Sequence, residues 1–86
     1  MNNFKKEILS KICYTDLVYG RINKKLNQNF SNTEIEKLIL EIIENTAEIN
    51  FEKKGKNIYI ANEDRNIRIT INSFTNRIIT VDILKK

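Results

Sequence analysis

The run 65–84, RNIRITINSFTNRIITVDIL, constrains the fold more than any other stretch of this chain. Ile67, Ile69 and Ile71 alternate with Arg68, Thr70 and Asn72. A period of two puts aliphatic side chains on one face of a strand and polar ones on the other. The β-branched residues that dominate it suit a half-buried pleated surface. Ser73, Phe74, Thr75 and Asn76 then interrupt the alternation with turn-forming residue types. A second run sets Ile79, Val81 and Ile83 against Ile78, Thr80 and Asp82. The pattern predicts two strands, 66–73 and 77–84, with the odd-numbered aliphatics in the core. Ile78 is then the one apolar exception on the polar face.

Upstream the period changes from two to between three and four. Phe4, Ile8, Leu9 and Ile12 form one stripe of a helix over 3–13, with Lys5, Lys6 and Lys11 on its other side. Thr15 is placed to cap a helix over 16–27, with Asp16 in its first turn and Tyr14 and Tyr19 spaced as a hydrophobic staple. Val18, Ile22 and Leu26, with Leu17 beside them, continue the apolar stripe. Arg21, Lys24 and Lys25 gather on the exposed side, a cluster that a solvated face also explains. Gly20, inside this helix, either admits a close neighbour or has no role. Ser31-Asn32-Thr33-Glu34 is a capping box with a Phe30/Ile35 staple, opening a helix over 32–45. Its stripe is Ile35, Leu38, Ile39, Ile42 and Ile43. Glu34, Glu36, Glu41 and Glu44 cover the remaining surface.

Ile49 and Phe51 point the same way in a short strand over 48–52. Lys53-Lys54-Gly55-Lys56 is a basic hairpin turn. A strand over 57–62 follows, with Ile58 and Ile60 inward and Tyr59 and Ala61 outward. The connections are too short for parallel crossovers. The expectation is one α+β domain over 1–86, with three N-terminal helices packed on one face of a four-stranded antiparallel β-meander.

The chain has 86 residues, and a domain of that size buries roughly 60–65% of the surface its unfolded form exposes. Its core is therefore thin. The single cysteine, Cys13, precludes an internal disulfide, and its place on the apolar side of the first helix makes it a small buried hydrophobe. No apolar run approaches the ~20 residues of a membrane span. The N-terminus has no signal-peptide core. The expected compartment is the cytoplasm, with no membrane partner.

The absence of histidine removes Ser-His and Cys-His pairs and histidine metal ligands. Two glycines cannot build a phosphate-cradling loop. No cofactor and no metal are expected. The net charge of +4 is unevenly spread: residues 1–30 hold six basic and two acidic groups, 31–52 one and six, 53–86 eight and three. Basic surface of this kind draws phosphate backbones, and an ordinary surface of modest charge looks similar.

If the helices cover the isoleucine face, the opposite face presents Tyr59, Arg68, Thr70, Asn72, Thr80 and Asp82, with Lys53, Lys54 and Lys56 at its rim. All of these but Lys53 are the candidate binding residues. A plain solvated sheet face accounts for the same pattern.

The segment GKNIYIANEDRNIRITINSFTNRIITVD, with ICYTDLVYGRINKKL upstream, resembles a small bacterial family catalogued as domain of unknown function 3781. TINSFTNRIITVD is its most specific part, and the resemblance covers most of the chain. It implies no activity and no functional residue. The layout of helices followed by a meander is also similar to RelE- and barnase-type ribonuclease toxins, whose open sheet face holds the reactive residues. That similarity implies Arg68 and Tyr59 as the residues in the corresponding place.

Two functions stay open. One is a binding module for RNA or for a protein, including an inhibitor of a nucleic-acid enzyme whose acidic helix imitates phosphate. The other is a small toxin-type endoribonuclease driven by Arg, Tyr and Lys on the open face. A homodimer through the open faces or an edge strand is a further expectation.

Overall fold

The computed structural model describes residues 4–85. Three helices come first: α1 (Phe4–Lys11), α2 (Asp16–Leu26) and α3 (Asn32–Glu44). A single 3₁₀ turn, Glu48–Asn50, leads into β1 (Phe51–Lys54), β2 (Asn57–Asn62), β3 (Ile67–Asn72) and β4 (Ile78–Ile83). The strands pair in the order β1-β2-β3-β4, each antiparallel to the next. This is the expected α+β meander. Asn3 and the Phe4 side chain, expected at the start of the first helix, lie outside the described residues.

The core is almost wholly isoleucine. Ile35, Ile39, Ile42 and Ile43 of α3 are buried with Val18 and Ile22 of α2 and Ile8 of α1. The sheet answers with Ile58, Ile60, Ile67, Ile69, Ile71, Ile78 and Val81. Each fully buried side chain of this size contributes about 1.5–3 kcal/mol. The capping box opens α3 as expected: Glu34 N–H donates to Ser31 Oγ at 3.2 Å, and Ser31 N–H donates to Glu34 Oε1 at 2.9 Å. The Ser31 N–H bond first, and then the Ser31 hydroxyl, hold the Glu34 carboxyl below its ordinary range. Tyr14 and Tyr19 stack with ring centroids 5.4 Å apart. Thr15 occupies the N-cap position of α2 with extended backbone, but its side chain makes no capping bond.

Four expectations need correction. The hairpin 66–84 does not keep its parity, because a β-bulge lies opposite Thr70 and Ile71. Thr70 faces Thr80, yet Ile71 faces Ile78, so Ile79 is the extra residue. A bulge places two residues against one. It turns Ile78 into the core and leaves Ile79 half-buried, the reverse of the simple alternation. Ile83 opposes Ile67 but is 41% exposed at the strand's end. The expected strand 48–52 is instead a 3₁₀ turn followed by β1, and Ile49 is 89% exposed rather than inward.

The third correction concerns Cys13, which is exposed and lies beyond α1. It forms one parallel bridge beside β4: Cys13 N–H donates to Asn76 O at 3.0 Å, and Ile78 N–H donates to Cys13 O at 2.9 Å. The fourth concerns α2, whose cations are not simply solvated. Arg21 Nη1 donates to Ile79 O, the bulge carbonyl, at 3.2 Å. Lys25 Nζ pairs with Asp82 at 3.1 Å. Both contacts lie on β4, so α2 runs beside that strand and shields its outer edge. Gly20 is exposed with no other atom near its Cβ position, so it admits no close neighbour.

Candidate functional site

The face of the sheet turned away from the isoleucine core carries the expected side chains, but it is only partly open. Arg68 lies in register with Asp82 on β4, and its Nη2 stands 3.6 Å from the Asp82 carboxylate. The same guanidinium sits over the Tyr59 ring, 5.5 Å from its centroid. A chain of contacts therefore crosses the face, from Lys25 on α2 through Asp82 and Arg68 to Tyr59. Thr70, between Tyr59 and Thr80 in register, is only 5% exposed, and Thr80 is half-buried. Neither threonine presents the open surface expected of it. Small side chains in the middle of a face are shaded by longer neighbours, here Tyr59 and Arg68.

Asn72 has a structural task. Its Oδ1 accepts from the N–H groups of Phe74 at 2.8 Å and Thr75 at 3.0 Å, which builds the turn between β3 and β4. Lys54 joins Tyr59, Arg68 and Glu52 in one shallow groove, and it pairs with Glu52 at 3.5 Å. Lys56 is exposed at the tip of the first hairpin.

A meander returns to the same end at every second turn. The β1–β2 tip and the β3–β4 turn therefore meet, and Ser73 N–H donates to Lys56 O at 2.7 Å. The end of α1 closes on them: Lys11, Lys53, Ser73 and Asn76 line one groove there. With Arg77 in the second turn, this end gathers Lys11, Lys53, Lys54, Lys56 and Arg77. Among the described residues, Lys53, Lys56 and Arg77 have no ion-pair partner.

Lys11, Ser73, Asn76 and Arg77 were not among the sequence candidates, and Lys53 was placed only at the rim. The convergence of Lys56 with Arg77 follows from strand order alone once a meander is assumed. The approach of Lys11 does not, since it depends on where α1 packs.

The other end of the sheet is acidic, and closed in the sense that its buried side chains, Thr46 and Asn62, bond internally. Glu63 and Asp64 lie in the β2–β3 turn, beside the end of α3. Arg65 Nη1 binds Glu41 at 2.8 Å. The acids proposed to imitate phosphate are largely engaged, because Glu36 accepts from the Tyr19 hydroxyl at 2.5 Å. That bond pushes the Tyr19 phenol up to about 12. Burial first, then Glu36 and Tyr19, raise the Tyr14 phenol above its ordinary range. Both phenols stay protonated at neutral pH. Among the described residues there is no group of three or more His, Cys, Asp or Glu that would hold a metal ion. Nor is any described helix long and apolar enough to cross a membrane.

The family described as "Protein of unknown function (DUF3781)" matches residues 6–82. The chain belongs to this family. The match takes in α2, α3, β1 to β3 and both turns of the basic end, so the geometry described above lies inside the DUF3781 region. No curated protein and no solved structure matches the chain. The similarity of layout to RelE- and barnase-type ribonucleases accordingly has no support. The DUF3781 assignment brings no activity with it, and the functional reading rests on the side chains.

Proposed function

We propose that this protein is a non-catalytic binding module for single-stranded RNA. Phosphates of the strand lie along the basic end of the sheet, and a base packs where Arg68 covers Tyr59. The observation that carries this reading is the convergence of Lys53, Lys56 and Arg77 at one end without ion-pair partners among the described residues. Exposed cations without ion-pair partners neutralise phosphates and release the counterions condensed on the strand. A guanidinium plane or an aromatic ring is a surface on which an unpaired base stacks. The groove shared by Lys54, Tyr59 and Arg68 links the two kinds of contact.

Binding is favoured over cleavage because Arg68 is already engaged by Asp82 and Tyr59. A guanidinium held in this way is poorly placed to follow charge developing on a phosphorane. The test is fluorescence anisotropy of a labelled single-stranded RNA across a salt series. With about three phosphate contacts, log K should fall against log salt with a slope of about −2. The oligonucleotide should be recovered intact. No binding at low salt would refute the reading, and cleavage abolished by Arg68→Ala would replace it with the nuclease.

A further inference from the structure

The groove between the end of α1 and the two turns holds an unusual set of idle polar groups. Lys53 comes from β1, and Ser73 and Asn76 from the β3–β4 turn. Among the described residues, none of these three side chains has a hydrogen-bond partner. Ser73 Oγ is the notable one, since it is buried with less than 1 Å² exposed and still unpaired. Buried hydroxyls nearly always have a partner, and leaving one without costs stability. Lys11 reaches the same groove from α1, where it is loosely tied to Glu7 at 3.8 Å by an exposed pair that opens readily. The groove encloses about 200 Å³, room for one small oxyanion. Its charged residues, Lys11, Lys53 and Glu7, leave one positive charge in excess.

We infer that this groove is a phosphate-binding site, matched to one negatively charged phosphate group. Lys11 leaves Glu7 and, with Lys53, brackets the anion. The Ser73 hydroxyl donates to a phosphate oxygen once the side chains shading it part, and the Asn76 amide donates to a second. Hydrogen bonds to an ionised acceptor are the strong kind, which is what an otherwise idle buried hydroxyl lacks. The inference deepens the RNA reading by naming where one phosphate sits, and it rests on that reading only for the identity of the strand.

The experiment is an amide-resolved NMR titration with inorganic phosphate against sodium chloride at equal ionic strength. Saturable shifts should concentrate at Lys53, Ser73 and Asn76. Ser73→Ala should weaken phosphate binding by about tenfold. Lys53→Gln, a change at an exposed residue that leaves the core intact, combined with Lys11→Gln should abolish saturation. Small unsaturable shifts spread over the exposed lysines, unchanged in these variants, would overturn the site. A second arm competes phosphate with an unlabelled RNA oligonucleotide. Saturable phosphate binding that RNA does not displace keeps the site and removes the RNA reading. RNA binding without saturable phosphate shifts removes the site and keeps the reading.

Discussion

Where β2 turns into β3, Asn62 donates to Thr46 Oγ1 at 2.9 Å, Thr46 donates to Ile42 O at 2.6 Å, and Asn62 Oδ1 accepts the Arg65 N–H at 2.9 Å. Where β3 turns into β4, at the opposite end of the same strands, Ser73 Oγ is buried without a partner, and Arg77, with Lys53 and Lys56 of the adjoining β1–β2 hairpin, has no ion-pair partner among the described residues. Both ends are made from the same elements, a polar turn between isoleucine strands beside the end of a helix. One end satisfies its buried polar groups, Thr46 and Asn62, internally and so serves the fold. The other bonds its turn through Asn72 but leaves one buried hydroxyl, Ser73 Oγ, without a partner, a cost that folding alone does not explain and that a ligand would offset.

The contrast is easiest to break at the closed end. Asn62→Ala should lower stability by about 2 kcal/mol, because Thr46 and the Arg65 amide lose a buried partner together. A urea midpoint like that of the unaltered protein would mean that the network does not matter. At the open end the sign reverses. Ser73→Ala removes a hydroxyl that gains nothing from the fold, and should raise stability by up to about 1 kcal/mol. A clear loss there would show that Ser73 is satisfied in the free protein, and the difference between the two ends would shrink. The smallest effect belongs to Arg65→Ala. It deletes an exposed pair with Glu41 but keeps the backbone bond to Asn62, so the change should stay below about 1 kcal/mol. A larger loss would place the strength of the closed end in its ion pair rather than in its buried amide.

The local features of this contrast were legible in the sequence, and the non-local ones were not. The capping box at Ser31 and Glu34 and the Tyr14/Tyr19 staple need only residues within a few positions of one another, and both are present. The inward set Ile67, Ile69 and Ile71 was readable because each is flanked by polar residues. The pair Ile78-Ile79 was not, since two adjacent isoleucines fit either parity and nothing local announces the bulge that selects Ile78 for the core. Ile49 and Phe51 misled for a similar reason: two apolar residues two apart suit a strand or the approach to one. For the candidate site, Tyr59 and Arg68 were placed on the correct face by alternation. The burial of Thr70 and the engagement of Arg21 and Lys25 by β4 depend on sheet neighbours and helix packing, which single positions do not encode.

The most direct test sets the two ends against each other at equal net charge. RNA affinity is measured across a salt series for Lys53→Gln with Lys56→Gln, and for Lys37→Gln with Lys85→Gln, where Lys37 lies on α3 and Lys85 beside the closed end. The account predicts that the first pair lowers affinity several-fold and flattens the salt slope by about one or more, while the second leaves the slope as it was. Equal losses from both pairs would contradict it, because the charge of the whole molecule, rather than one open end of the sheet, would then hold the strand.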